Sequence, residues 1–370
     1  MDNIVKSGRN IGLDILRALA MFLVICQHIL GQGGLLAHTA AGSARFYVLS
    51  FLQILVYCAV DVYGITTGYL MCRKQFRLSR LTKLWTTTVF WSVAVSCCFF
   101  ALVPESRTLK EVISMFLPVL RGRYWFFTAY LVVMLVSPAL NVLISNLSRR
   151  QFRLVFAALF VIFGVVPVGA LGNDVLRISQ GHHFSWMIVL YLIGGYLNVH
   201  GETVSWGKEK GFWLRGYFLL AGLHLVYKAG VRAVGLAAYG DLMLTYPSVL
   251  VLGEALCLFL FFRNACSGAA SEGLAARLMG FVSPGVYSVY VIHVHPLIFW
   301  NSRIIGWFRG WDGWQTGIVV AALFVTAIAV FSACILLDAA RRKLFALLQI
   351  DKIVEKLSDR MEAYVRTVLG

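Results

Sequence analysis

Charge is scarce in this chain of 370 residues: 14% are Asp, Glu, Lys or Arg, against 59% apolar. A mean hydropathy of +0.78 lies outside the range of soluble globular proteins and excludes that class. Acidic residues are the scarcer sign, 17 against 33 basic, for a net charge of +16. The basic residues fall in short connections between apolar runs and form no single soluble patch, so nucleic acid is not an expected partner. The eight cysteines lack paired ligand spacing and lie in or beside apolar segments, which reads as reduced packing residues without metal or disulfide roles. No stretch is long and polar enough for a separate soluble domain, and no inverted repeat of the transporter kind is visible. Any chemistry has to happen among membrane helices.

What is present is a series of apolar runs. At about 20 residues per span, the chain reads as an all-α polytopic membrane protein with ten transmembrane helices, near 11–30, 46–71, 84–103, 124–145, 154–171, 184–199, 212–228, 245–263, 279–300 and 314–337. The first run is as long as a full span and lacks a small-residue cleavage site after it, so it is expected to remain as the first helix. With the N-terminus inside, inner connections carry Lys6 and Arg9, the cluster Arg73 to Lys83, Arg149, Arg150 and Arg153, Lys208 and Lys210, and Arg263 and Arg277. The opposite connections carry fewer, which predicts both termini on the cytoplasmic side. The outer segment 104–123, with VISMFLPVL, is expected to be re-entrant or interfacial.

Residues 1–337 form the predicted membrane domain and 338–370 a cytoplasmic tail. In the tail, Leu347, Ile350, Val354, Leu357, Met361 and Val365 recur every three or four positions with basic residues between them. That pattern predicts an amphipathic helix on anionic membrane lipids, with a solvated coil or a contact in a homodimer as the alternative.

The most informative stretch is Ile11 to Leu30, a membrane-length run that carries Asp14, Arg17 and His28. An ionisable group at membrane depth costs several kcal/mol and normally faces a protein interior or a polar path. His28 lies eleven positions after Arg17, which on a helix is roughly 16 Å along one face. Asp14 stands one turn before Arg17, close enough to hold its guanidinium. A neutral imidazole takes a proton from a hydroxyl and a nearby cation fixes a phosphate or an oxyanion, chemistry suited to group transfer to an alcohol. The competing reading has Arg17 snorkelling to headgroups with His28 in the far interface.

Further candidates follow along the chain. Arg73, Lys74, Arg77, Arg80 and Lys83 form a basic cluster after the second span, with guanidinium forks suited to phosphate. A positive-inside stop signal explains the same cluster without a ligand. Asp61 is buried in VYCAVDVYGITTGYLM, where it orients a first-helix side chain or bonds to Thr66 or Tyr63, while Gly64 and Gly68 permit close helix approach. On a late helix stand Ser288, Tyr290 and His293, with His295 two residues on and unsuited to share a metal with His293. Glu254 and the aromatic run from Arg123 to Tyr130, with Trp125, are weaker candidates.

Together these pieces resemble the membrane-bound acyltransferase 3 family. Arg17 and His28 fit its Arg, ten residues, His signature on the first helix. Asp61, Tyr63, Thr67, Gly68 and Tyr69 resemble its second-helix pattern, Arg77 and Arg80 its basic loop, and Tyr287, Ser288, Tyr290 and His293 its late Tyr-Ser-x-Tyr-x-x-His. Thr67 replaces the usual Ser, and Tyr124 precedes Trp125 where many relatives carry His. The chain is most similar in character to bacterial surface-polysaccharide O-acetyltransferases. The resemblance implies a multi-pass enzyme of the bacterial inner membrane, with acetyl-CoA as cytoplasmic donor, a glycan or lipid-linked glycan as acceptor, and no metal. It also implies His28, Arg17, Asp14 and Asp61 in the chemistry, Arg73, Lys74, Arg77 and Arg80 on the coenzyme, and Trp125, Glu254, Tyr290 and His293 on the substrate. The rival reading is a transporter of a polysaccharide intermediate or a proton-coupled solute, with Asp14, Arg17, His28, Asp61 and Glu254 as a proton relay.

Overall fold

The computed structural model describes residues 10–201, 211–265 and 273–369. Lys6, Arg9, Lys208, Lys210 and Cys266 lie outside the described residues. The helices are α1 Ile11–Leu30, α2 Ala44–Tyr57, α3 Ala59–Met71, α4 Leu78–Leu102, α5 Leu109–Phe116, α6 Trp125–Asn146, α7 Arg149–Phe160, α8 Val166–Gly169, α9 Phe184–His200, α10 Phe212–Ala233, α11 Val249–Ala265, α12 Leu274–Val282, α13 Val286–His293, α14 Pro296–Phe299, α15 Ser302–Arg309, α16 Thr316–Leu347 and α17 Ile350–Leu369. No strand occurs among the described residues.

Among the described residues, seven helical stretches are long and apolar enough to cross a membrane: α1, α2 with α3, α4, α6, α7 with α8, α12 with α13, and α16. The other three predicted spans are helices too, but differ in kind. α9 and α11 have 17 residues each, and α10 carries Arg215, Lys228 and Arg232 along its 22. The segment 104–123 is not among these seven; it contains the eight-residue α5, capped by the Thr108 side chain on Glu111 N. Its Leu109, Val112, Ile113 and Phe116 stay exposed.

Local chemistry sets the boundaries. Asn10 caps α1, its side chain accepting from Leu13 N at 3.2 Å. The span predicted to run to 300 ends instead at His293. Pro296 supplies no N–H and pushes the preceding residue out of the helical region, so the chain turns at His295 and restarts as α14. The span predicted to close at 337 continues to Leu347. Its extension is held by a buried polar knot: Asp338 accepts from Ser288 Oγ at 2.5 Å, Arg341 Nε at 2.7 Å and Arg342 Nε at 3.0 Å. An Asp neutralised by two arginines can lie where an isolated one could not.

The tightest crossing is α3 on α9. A Cβ on Gly68 would sit 2.0 Å from Tyr191 O, one on Gly64 2.6 Å from Leu190 Cβ, and one on Gly194 2.0 Å from Ile65 O. Small residues let two backbones meet where lipid gives no hydrophobic drive for association. Tyr191 Oη then donates to Asn141 of α6 at 2.8 Å, tying a third helix to the pair.

The tail forms the predicted helix, α17, and one face of it packs on the start of α4. Lys83 Nζ lies 2.9 Å from Glu355 Oε2, Thr82 Oγ1 2.6 Å from Ser358 Oγ, and Leu78 N donates to Glu362. The predicted apolar stripe is left largely uncovered at Leu347, Leu357, Met361 and Val365.

Gly68→Ala should force α3 and α9 apart, and a sharp loss of folded protein in membranes, read by size-exclusion fluorescence of a tagged protein, is the expected result. The Lys83 ammonium holds the Glu355 carboxyl below the usual glutamate range. A depressed carboxyl favours the docked state above its ordinary value and loses that contribution as pH falls through the lowered one. Hydrogen exchange of α17 should therefore stay slow on mild acidification and speed up only below the ordinary glutamate range.

Candidate active site

Because α1 is unbroken, Arg17 and His28 stay roughly 16 Å apart on it. They belong to two different ends of the bundle. Arg17 is half-exposed, with Nη1 3.9 Å from Asp14 Oδ1, and Tyr63 Oη donates to its carbonyl at 2.6 Å.

At the other end His28 meets His293. His28 Nδ1 lies 3.0 Å from His293 Nε2, and His293 Nδ1 lies 2.6 Å from Val289 O. A carbonyl only accepts, so His293 Nδ1 must carry a hydrogen, and in the neutral ring its Nε2 is then an acceptor. His28 Nδ1–H donates to that acceptor. The free nitrogen of His28 is Nε2, with its lone pair. The pair has the logic of an oriented general base: one group handles the proton and a second fixes its tautomer. Phe299 packs edge-on against His28 at 4.8 Å between ring centroids.

His28 lines a cavity of about 460 Å³, together with Gln27, Tyr63, Arg123, Trp125, Tyr290 and His182. That volume is in the range of small-molecule sites. Its walls include the connections after α1, α5, α8 and α13, all at the end opposite the Arg73 to Lys83 cluster. Arg123 is buried in the wall, paired with Glu111 of α5 and bonded to Ser96 Oγ at 3.0 Å. His295 Nε2 lies 2.5 Å from the same guanidinium.

Of the residues singled out in the sequence, His28, His293, Tyr290 and Trp125 come together at this cavity, His293 directly behind His28. Tyr287 and Ser288 face elsewhere, to Thr88 at 2.5 Å and to Asp338. Asp61 orients neither His28 nor Arg17, and its bonds do not go to Thr66 or Tyr63. It is fully buried and accepts from Trp186 Nε1 at 2.9 Å, because the α3–α9 crossing sets those two side chains opposite each other. Glu254 is also off the cavity, buried with Oε1 3.6 Å from His224 Nδ1. The basic cluster sits at the far end: Arg73 Nη2 reaches Asn198 O at 3.5 Å, Arg80 Nη1 donates to Gln75 O at 2.7 Å, and Lys74 and Arg77 are exposed.

His182 is not among the residues the sequence singles out. It lies in GNDVLRISQGHH, a polar connection between apolar helices, and that contrast is the signal that could have found it. The loop winds through left-handed φ at Arg177 (52°), Ser179 (48°) and Gln180 (57°). Each such residue costs about 1–2 kcal/mol, so the conformation has to be held from outside. Asp174 holds it, accepting from Ile178 N and Ser179 N at 2.8 Å each, and Tyr246 N donates to Gln180 O at 3.2 Å.

Nitrogen-15 NMR of histidine-labelled protein should show His28 and His293 both protonated at Nδ1 at neutral pH, assigned by loss of each signal in His28→Gln and His293→Gln. A protonated Nε2 on neutral His293 would contradict the hydrogen-bond chain.

Among known proteins, a family model described as an acyltransferase domain, acyltransferase 3, matches residues 10–337. No curated protein and no solved structure matches the chain. The matched range takes in both ends of α1, the basic cluster, the cavity and α13, and the chain belongs to the acyltransferase 3 family of membrane acyltransferases.

Proposed function

We propose that the protein moves an acetyl group from cytoplasmic acetyl-CoA to a hydroxyl of a surface polysaccharide or its lipid-linked precursor. The observation that carries this reading is His28, a tautomer-fixed imidazole with a free Nε2, on a cavity at the opposite end from the cluster of cations. His28 Nε2 takes the acceptor's hydroxyl proton as the oxygen attacks the thioester carbonyl. The carbon–sulfur bond then breaks, and the proton passes from His28 to the coenzyme thiolate. As imidazolium, His28 is steadied through its Nδ1–H by the His293 lone pair.

Arg73, Lys74, Arg77 and Arg80 would bind the coenzyme phosphates, and Arg17, steadied by Asp14, the inner part of the donor, leaving the thioester to reach along α1 to His28. Trp125, Tyr290 and His293 belong to the acceptor side. Asp61 and Glu254 support this arrangement as buried structural acids. In this reading all ten helices cross the inner membrane of a bacterium, with both termini in the cytoplasm. The uncovered stripe of α17 rests on anionic lipids in preference to a second copy.

His28→Ala at normal membrane abundance should lower transfer by about 10²–10⁴-fold, and mass spectrometry of envelope glycans should show the acyl esters gone; esters that persist would sink the assignment. His293→Phe should act through the base: a hydrogen bond to a charged group contributes about 1.5–3 kcal/mol, or about 10- to 150-fold in kcat, with little change in KM for acetyl-CoA. Coenzyme A should shield Arg77 and Arg80 from phenylglyoxal, and a transporter predicts no such shielding.

A further inference from the structure

Three rings cluster in the wall of the His28 cavity. The centroids of Trp125 and His182 are 4.7 Å apart, those of His182 and Tyr246 4.8 Å, and Trp125 and Tyr246 stack at 6.2 Å with 26° between planes. Trp125 comes from the start of α6, Tyr246 from the connection before α11, and His182 from the strained loop before α9. Three separate segments converge on one ring cluster.

The orientation of His182 is fixed. Its Nδ1 lies 2.7 Å from Ser179 O, so Nδ1 carries the hydrogen and the neutral ring keeps its lone pair on Nε2. The side chain remains open to solvent at the mouth, while the surrounding protein desolvates it enough to hold its pKa below the ordinary histidine value. His182 and His28 line the same cavity. Gly181 makes the placement possible: its φ is 94°, and a Cβ there would come within 2.8 Å of Tyr246 Cβ and Pro247 Cδ.

We infer that His182, Trp125 and Tyr246 form a sugar-binding subsite, in which the Trp125 indole, backed by the buried Tyr246 ring, holds the apolar face of a pyranose ring and His182 Nε2 accepts a hydrogen bond from a hydroxyl neighbouring the one that is acylated. The inference rests on the acyl-transfer reading above and names the part of the acceptor it would recognise: a sugar with a second free hydroxyl beside the reacting one. Aromatic faces carry negative charge that attracts the C–H edge of a sugar. A site built to accept from a hydroxyl rejects an analogue that lacks it, because the acceptor nitrogen is left unpaired. His28 keeps the chemical step; His182 is a specificity residue.

The test uses the full-length protein in nanodiscs, acetyl-CoA as donor, and alkali-deacylated envelope glycan from a strain lacking the protein as acceptor probe. His182→Phe keeps a ring in the cluster and removes the acceptor nitrogen. It should raise KM for the glycan about tenfold, the loss of one hydrogen bond, with kcat held within about threefold. His182→Gln, whose carbonyl accepts the same hydrogen, should recover most of that loss. The glycan, and not acetyl-CoA, should shield His182 from diethyl pyrocarbonate, read by peptide mass spectrometry. An unchanged KM in His182→Phe, a fall in kcat alone, or labelling of His182 undiminished by glycan each overturns the subsite. If wild-type protein transfers nothing while glycan still shields His182, the transfer reading falls and the subsite stands. Transfer that proceeds with no shielding and a silent His182→Phe overturns the subsite and leaves the transfer reading in place.

Discussion

A polar atom among membrane helices has no water to bond, so each one placed there needs a partner from the protein. Much of this structure follows from that constraint. Asp338 is buried because Ser288, Arg341 and Arg342 surround it, and that knot carries α16 beyond its expected end at 337 to Leu347. Asp61 is buried against the Trp186 indole, Lys228 is paired with Asp241, and Arg123 with Glu111. The same requirement builds the histidine pair: His293 is satisfied by Val289 O on one side and by His28 on the other, which leaves a single nitrogen of His28 free.

Freedom of that nitrogen separates His28 from His293 and His295, and the donor role of its Nδ1 separates it from His183. His295 is committed at both nitrogens, to Leu297 N and to the Arg123 and Ser92 neighbourhood. His183 caps α9 through Ser185 N. His28 and His182 share a different arrangement, Nδ1 used as a donor and Nε2 left over, and both line the same cavity. A tautomer set by a hydrogen bond to the far nitrogen turns an imidazole from a packing group into an acceptor with a defined direction.

The two ends of α1 are coupled through backbone more than through side chains. Tyr63 bonds the carbonyl of Arg17 while its ring lines the His28 cavity, so α3 touches both ends at once. α3 itself is fixed by its glycine crossing on α9. The roughly 16 Å between Arg17 and His28 is thereby a rigid distance set by helix rise.

Much of the fold is legible in the sequence because membrane-length apolar runs and their breakers are local signals. α1 has the bounds of its apolar run, and the fold class and the amphipathic tail follow from periodicity. The end of α13 is set by Pro296, which hydropathy alone passes over, and the crossing status of α9, α10 and α11 is ambiguous in sequence because their length or charge is marginal. In the site, Arg17 and His28 are legible because an ionisable residue in an apolar run is conspicuous. Asp61 and Glu254 are conspicuous for the same reason, yet the partner of Asp61, Trp186, comes from a helix far along the chain, and Glu254 faces His224 of a neighbouring helix and not the cavity. The composition and order of residues determined that this chain is a helical membrane protein with ionisable groups toward both ends of its first helix. Only tertiary structure decided which groups meet. The contact between His28 and His293 spans 265 positions, and no local pattern encodes which faces of distant helices are brought together or which nitrogen is left with its lone pair.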